Sequence, residues 1–244
     1  MLSNSTIETA DQYWSSSLGC QREALYKRYT LIVPDDESNN FYGIYCFLRN
    51  QALIVAVSRD LLDAFHPRAE NWFHADVLDE ERFRRLIDHP IDRIIGPAFI
   101  GYTDRTIFRP VSVGGVRFLG GEDIEALKTL QAACSALEWE HGGSRLGEQP
   151  VVGAFDGGRL VAVAGYQIWD SGIAHISVIA HPQYRRYGYG KAVVSELTEE
   201  ALNRGLVPQY RTLVANKSSM VIANGLKFER YATRVALRLK RSRQ

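Results

Sequence analysis

The sequence predicts an α/β (α+β) fold. A mixed central sheet flanked by helices is expected over residues 110–244, preceded by a smaller accessory or degenerate α/β N-terminal domain over residues 1–109. Three observations carry this. Short apolar runs rich in β-branched and aromatic residues alternate with longer segments whose apolar residues recur every three or four positions. Asp156-Gly157-Gly158 lies between two of those runs and is a strong hairpin signal, because tight two-residue turns need positive φ. Gly205 follows a long amphipathic segment, where a left-handed residue ends a helix.

In chain order, 7–18 reads as a polar, helical lead-in. Pro34 to Asn40 is a polar connector with turn residues. Strands are expected at 42–48 and 52–57, short helices at 59–65 and 79–87, and two further strands at 91–95 and 98–102. Pro110, Gly114 and Gly115 break the pattern and mark the domain boundary near Arg109. Beyond it, 111–119 reads as a strand. A helix follows at 123–137, with Leu127, Leu130, Cys134 and Leu137 on one face. Strands at 151–155, 160–169 and 173–180, a helix at 188–204, a strand at 209–215, a short helix at 218–224 and a strand at 231–239 complete the order β-α-β-β-β-α-β-α-β.

With 244 residues, 45% hydrophobic and 23% charged, the chain can bury a substantial core without staples. A net charge of +1 supplies no global field for nucleic acid or membrane, and Arg238 to Arg243 reads as a solvated basic end. Cys20, Cys46 and Cys134 are odd in number, widely spaced and outside any CxxC, which argues against a disulfide framework or thiolate metal site and for a reduced, cytoplasmic setting. No apolar run approaches the roughly 20 residues a bilayer requires, and no secretory signal opens the chain. The six histidines show no metal-ligand spacing, so no metal is expected.

Chemistry concentrates in His181-Pro-Gln-Tyr-Arg-Arg-Tyr-Gly-Tyr-Gly-Lys191, between a strand and a helix. Gly188 and Gly190 let the backbone turn tightly, so that several N–H groups point into one concavity. The helix that follows adds its partial positive N-terminus, and Arg185, Arg186 and Lys191 add full charges. The segment is thus an anion site suited to a pyrophosphate. The P-loop pattern fails, since 185 is Arg and 192 is Ala. The dinucleotide fingerprint fails at Val193. What remains is R-x-x-G-x-G.

In this place R-x-x-G-x-G resembles the coenzyme A pyrophosphate loop of the GNAT superfamily of N-acetyltransferases. Residues 176–182 resemble the superfamily's central strand running into that loop. Asn216-Lys-Ser-Ser219 with Gly225-Leu-Lys-Phe228 resembles its N-x-x-[SA]…LGF segment, Lys227 standing where a glycine normally precedes the Phe. The serine-bearing second motif is closest to the glycine-N-acyltransferase-like branch. The likeness covers residues 111–240 and is strongest over 173–228; residues 1–109 match nothing in the common core.

The resemblance implies a GNAT-like fold and direct attack of an amine on the acetyl-CoA thioester, with acetyl-CoA as co-substrate. It implies that Val178, Ile179 and Ala180 pair with the pantetheine arm and that one N–H there supports the developing oxyanion. Arg185, Arg186, Tyr187, Gly188, Tyr189, Gly190 and Lys191 would hold the pyrophosphate, with Asn216 and Ser219 alongside. Candidate bases are His175 on the central strand and Glu138 and Glu140 beside the acceptor region, where carboxylates suit a cationic amine. Each has a plainer reading: His175 as a hydrogen-bonded sheet histidine, the glutamates as solvated helix-end carboxylates. The tyrosine that many relatives use as general acid falls on Ala223. The expected function is acyl-CoA-dependent N-acyl transfer, acetyl first, to a small amine or amino-acid-like acceptor. The alternative is a non-catalytic acetyl-CoA or CoA sensor, and a protein acceptor is a third. The expected partners are acetyl-CoA and an amine acceptor, without nucleic acid or membrane, and with a homodimer left open.

Overall fold

The computed structural model describes residues 1–35, 42–69, 71–147 and 149–241. Most of the connector expected at 34–40, and the end of the basic tail, lie outside these residues. The described chain forms two compact units. Unit 1 comprises Met1–Thr9, Gly101–Arg211 and Asn216–Glu229, and unit 2 comprises Ala10–Ile100, Thr212–Ala215 and Arg230–Gln244. Among the described residues no helix is long and apolar enough to cross a membrane.

Unit 2 contains most of helix α1 (Asn4–Ser17) and strands β1 (Thr30–Asp35), β2 (Gly43–Arg49) and β3 (Ala52–Ser58). It also holds helices α2 (Leu62–Ala69), α3 (His74–Leu78) and α4 (Glu80–Leu86), most of strand β4 (Ile91–Tyr102), and the last strand, β10 (Glu229–Leu239). Its strand order is β1-β3-β2-β10-β4. Strands β2 and β3 form a tight antiparallel hairpin in which Asn50 takes φ 51°, and β1 joins β3 in parallel. Alternate residues Ile44, Cys46, Leu48 and Leu53, Val55, Val57 point to one face and pack against Leu61, Phe65, Trp72, Val77 and Phe83 of the helical segment. On the other face a closed polar cluster fixes α1. Asp11, 2% exposed, accepts from Tyr231 Oη at 2.7 Å and from Tyr26 and Arg49, and the Arg49 guanidinium lies 4.3 and 4.2 Å from the Tyr26 and Tyr231 ring centres.

Unit 1 carries β5 (Val116–Phe118), α5 (Ile124–Ala133), α6 (Ala136–Gly142), β6 (Val151–Asp156), β7 (Arg159–Trp169), β8 (Ile173–Ala180), α7 (Tyr189–Asn203), most of β9 (Val207–Leu213) and α8 (Lys217–Gly225). Its strand order is β9-β8-β7-β6-β5. Pairs β5–β6, β6–β7 and β7–β8 are antiparallel, and β8–β9 is parallel. Strand alternation assigns the two faces. Val163 and Ile179 point to α5 and α6, packing on Leu127, Leu130 and Trp139. Val178 points the other way, toward Gly190 of α7 and Ile222 of α8.

Most elements match the expectation, and the differences have local causes. The helix expected over 123–137 is two helices. Cys134 is extended (φ −103°, ψ 154°), and Ser135 then caps α6 by accepting from Glu138 N–H while Glu138 reaches back to Ser135 N–H. The two strands expected at 91–95 and 98–102 are one, with Gly96-Pro97 inside it as a cis peptide. The strand expected over 111–119 is paired only at Val116–Phe118. Strand β1 was not expected, because its apolar run is short and ends in Pro34-Asp35.

Both long motif helices end as their residues require. At α7, Gly205 N–H donates to Leu202 and Leu206 N–H to Ala201, with Gly205 at φ 73°. At α8 the same pair of bonds forms, Lys227 N–H to Asn224 and Phe228 N–H to Ala223, but the left-handed residue is Lys227 at φ 62°. This explains the glycine expected before Phe228: that position closes the helix. A left-handed L-residue costs about 1 kcal/mol. Lys227→Gly should therefore stabilise the fold by about 0.5–1 kcal/mol in urea unfolding; a loss of stability would contradict this end geometry.

Candidate active site

The β8–β9 ladder runs from Ile173↔Val207 to Ile176↔Tyr210 and stops, although β8 continues to Ala180 and β9 to Leu213. On its other edge β8 stays paired with β7 as far as Ala180. His181 N–H donates to Val161 O, so the alternation turns the backbone groups of Ile179 and Ser177 toward β7, and those of Val178 and Ala180 toward the fork. Of the three residues proposed to meet the pantetheine arm, Val178 and Ala180 thus face the opening, whereas Ile179 contributes a buried side chain. Gly142, at the end of α6, crosses directly over the Val178 carbonyl: a Cβ there would stand 2.5 Å from that oxygen.

The chain leaves β8 through a short 3-10 turn capped by His181, whose Nδ1 accepts from Gln183 N–H at 3.2 Å. Arg186 then takes φ 71° and Gly188 φ 92°, with Tyr187 between them at negative φ. This alternation of hands, running into the first turn of α7, directs successive N–H groups to one side and forms an anion nest. Among the described residues none accepts from the N–H groups of Tyr187 to Lys191, and the first backbone bond of α7 is Ala192 N–H to Gly188 O. Gly188 has open space where a Cβ would be, whereas Gly190 is close to Ile222 (3.4 Å from a Cβ) and Val178 (3.9 Å). The nest and the fork therefore open beside the same short stretch of β8. A pyrophosphate with an extended arm fits that donor set: anion-binding N–H groups at one end, and at the other a strand edge with no β9 ladder partner beyond Ile176, whose Ala180 O accepts from Arg185.

The side chains around the nest divide. Arg186 and Tyr187 are exposed. Arg185, also exposed, folds back along the surface, its Nε donating to Ala180 O at 3.2 Å and its Nη2 to Glu138 Oε1 at 2.6 Å. It clips the end of β8 to α6. Lys191 lies over Gly225 at the end of α8, where a Cβ would be 2.7 Å from both its Cε and Nζ. Asn216 caps α8 by accepting from Ser219 N–H at 3.2 Å.

The three candidate bases fall in different settings. The Ser135 N–H bond, followed by Arg185 and the Ser135 hydroxyl, holds the Glu138 carboxyl below its usual range. A carboxylate so held is a weak base, and its geometry is that of a structural clip. Glu140 is exposed on α6. His175 lies on the α5/α6 face of β8, stacked on Trp169 at 4.1 Å between ring centres and 21° between planes. Its Nδ1 is 3.0 Å from Gln209 Oε1, and Gln209 Nε2 donates to Tyr102 Oη at 2.5 Å. With its amide nitrogen donating to Tyr102, Gln209 presents its oxygen to the imidazole. Nδ1 therefore carries the hydrogen and Nε2 the lone pair.

Burial, then the charge of Arg211, lower the His175 pKa from 6.5 to about 4 against the opposing bond from Gln209. A histidine that is harder to protonate in the folded chain than in the unfolded one binds fewer protons when folded. Its contribution is complete above pH 6.5 and is lost as pH falls toward 4. Stability should drop by up to about 3 kcal/mol across that window, and His175→Gln should flatten this part of the pH profile in urea melts. An unchanged slope would contradict the neutral assignment.

From the sequence Trp169 reads only as a core or pocket-wall residue, and Gln209, Arg211 and Tyr102 are not singled out. The available signal was Gln209-Tyr210-Arg211, a polar–apolar–polar triplet in a strand with Gln209 fully buried.

Residues 123–220 match the Acetyltransferase (GNAT) family model. Comparison with curated proteins finds no match. Among solved structures, the fold is similar to that of a GNAT-family acetyltransferase from Colwellia psychrerythraea, with TM-score 0.53, 15% identity and 98% of each chain covered. It is also similar to a GCN5-related N-acetyltransferase from Kribbella flavida, with TM-score 0.47, 18% identity, and 62% of this chain and 60% of that one covered. A third likeness is to the aminoglycoside N-acetyltransferase AAC(6')-Iy, solved in complex with CoA, with TM-score 0.39, 16% identity, and 53% and 98% covered. The fork and the nest thus lie within the matched segment, residues 123–220, which is similar to the GNAT acetyltransferase family.

Proposed function

We propose that the protein is an acetyl-CoA-dependent N-acetyltransferase acting on the amine of a small, amino-acid-like acceptor. The observation that carries this is the β8–β9 fork opening beside the nest at 186–190. The N–H groups of Tyr187 to Lys191 would hold the pyrophosphate, and Val178 and Ala180 would pair with the pantetheine arm. Acetyl-CoA supplies the activated acyl carbon. The Val178 N–H, fixed in the sheet and facing the fork, is the donor placed to support negative charge on the acyl oxygen.

His175 Nε2 is the proton acceptor in this account. A neutral imidazole of low basicity cannot deprotonate a free ammonium efficiently. It can take the proton from the nitrogen as the bond to the acyl carbon forms, when that N–H is far more acidic. One C–N bond forms, one C–S bond breaks, a proton leaves the nitrogen and one reaches the sulfur. Ala223 is fully buried and offers no acid, so the sulfur proton comes from another group or from solvent.

The catalytic function is assigned to 110–244, with 1–109 as an accessory domain; the nest, His175 and the fork as far as Arg211 lie in unit 1, which also takes in 1–9 and 101–109, whereas 212–215 and 230–244 belong to unit 2. Cys20, Cys46 and Cys134 are free thiols, which supports a reducing, cytoplasmic setting. The test is acetyl-CoA-dependent thiol release with a panel of small amines: acceptor-dependent release supports transfer, and binding of acetyl-CoA without release on any amine or peptide would leave a sensor.

A further inference from the structure

The Lys191 N–H belongs to the nest, but its side chain leaves it. The stem crosses to the end of α8, and its Cε and Nζ lie over Gly225, where a Cβ would stand 2.7 Å from either atom. Gly225 is the last helical residue of α8 and is not left-handed, so the backbone makes no demand for glycine there. What the missing Cβ leaves is room for the lysine stem. Among the described residues the Lys191 ammonium has no hydrogen-bond acceptor and no carboxylate partner. A half-buried cation is thus seated in a cradle within one helical turn of Gly188, with nothing to neutralise it.

A second lysine follows. The Cα of Lys227 is at most about 7.6 Å from that of Gly225, so its ammonium is within reach of the same point. Lys227 is left-handed at φ 62°, a conformation that glycine adopts without steric cost. It too has no partner among the described residues. Glu229, the nearest carboxylate along the chain, is taken by the Met1 ammonium and the Leu2 N–H. A strained lysine, kept where glycine would close the helix better, is an outlier of the kind that marks a functional site. The Gly225 cradle and the Lys227 strain are separate observations, and each leaves an uncompensated ammonium beside the nest.

The nest suits a pyrophosphate. In coenzyme A the ribose that carries the pyrophosphate also carries a phosphomonoester on its 3′ oxygen, and 3′-dephospho-CoA lacks only that group. A phosphomonoester bears close to two negative charges at neutral pH. Two ammonium groups beside the pyrophosphate site match it in sign and in number, and lysine meets a phosphate as a compact point charge.

We propose that the Lys191 ammonium, seated over Gly225 and joined by that of Lys227, forms a subsite for the ribose 3′-phosphate of the coenzyme. The nest then fixes the pyrophosphate, and the lysine pair selects the phosphorylated ribose. This rests on the coenzyme-binding reading above and deepens it. The plainer role for Lys191 is to complement the partial negative charge at the end of α8.

The test is calorimetric titration of the 244-residue chain and its variants with CoA and with 3′-dephospho-CoA. Wild type should favour CoA by about 10-fold, the low end for hydrogen bonds to a charged group, because the cradle is only half-buried. Lys191→Met should bring the two affinities together by weakening CoA and leaving dephospho-CoA nearly unchanged. Gly225→Ala suits a helical backbone and should not destabilise the fold, yet it displaces the ammonium and should lower the preference in part. Lys227→Gly should also lower it in part while raising stability. A preference intact in Lys191→Met overturns the proposal and, with a loss of stability in urea, assigns the ammonium to the helix end. Equal affinities in wild type overturn it too and leave the pyrophosphate nest standing. Failure of wild type to bind either compound removes the coenzyme reading itself, and this proposal with it.

Discussion

Gly188→Trp should weaken acetyl-CoA binding at least about 100-fold, the equivalent of losing one or two charge-assisted N–H bonds, while leaving the fold intact. Gly188 is left-handed at φ 92°, ψ −12°, and begins α7. A side chain there has no protein atom within 4 Å of its Cβ, so the indole does not disturb the core. It must instead occupy the open space beside the N–H groups of the nest. Backbone strain alone costs about 1–2 kcal/mol. Gly205→Trp applies the same strain at the other end of α7, at φ 73° with equally open space. It should lower stability similarly and keep acetyl-CoA affinity. Calorimetry on both variants separates the site from the strain, and matching affinities in the two would remove Gly188 from the coenzyme site.

The second large effect falls on turnover. His175→Gln should lower kcat about 100-fold, at the low end of what a positioned base contributes, with acetyl-CoA affinity retained. The loss belongs to kcat because His175 faces the α5/α6 side of β8, whereas the nest lies at the end of the same strand and the start of α7. The buried Gln209–Tyr102 pair holds the tautomer. Gln209→Leu should therefore reproduce part of the kcat loss although Gln209 touches no substrate. Retention of kcat within about threefold in His175→Gln, far inside the range for a removed base, would show that the stacked imidazole only packs the sheet.

The coenzyme side of this site was legible in the sequence because its chemistry is local. A nest is made by consecutive residues, and Arg185, Gly188 and Gly190 spell it out within six positions. The Asn216 cap and the glycine-favouring position at Lys227 are equally local, being the two ends of one helix. The acceptor side is not local. His175, Gln209 and Arg211 meet because β8 and β9 are parallel and in register, with α7 between them in the chain. Trp169 joins them across an antiparallel turn. No spacing rule connects these positions.

Glu138 shows the reverse failure. A carboxylate beside the acceptor region reads as a candidate base, but its bonds are to its own cap residue and to Arg185, 47 residues away. Breaks in elements had similar causes. The helix expected over 123–137 has unbroken apolar spacing, and only the capping pair Ser135–Glu138 shows that a second helix starts there.

The most direct test of the central claim is a calorimetric titration of the 244-residue chain with acetyl-CoA and, in a second series, with CoA. Micromolar binding of both is expected, because the nest grips the pyrophosphate they share. No heat of binding at millimolar ligand would mean that residues 185–191 are an ordinary entry into α7, and the assignment of the fork as a coenzyme site would fall with it.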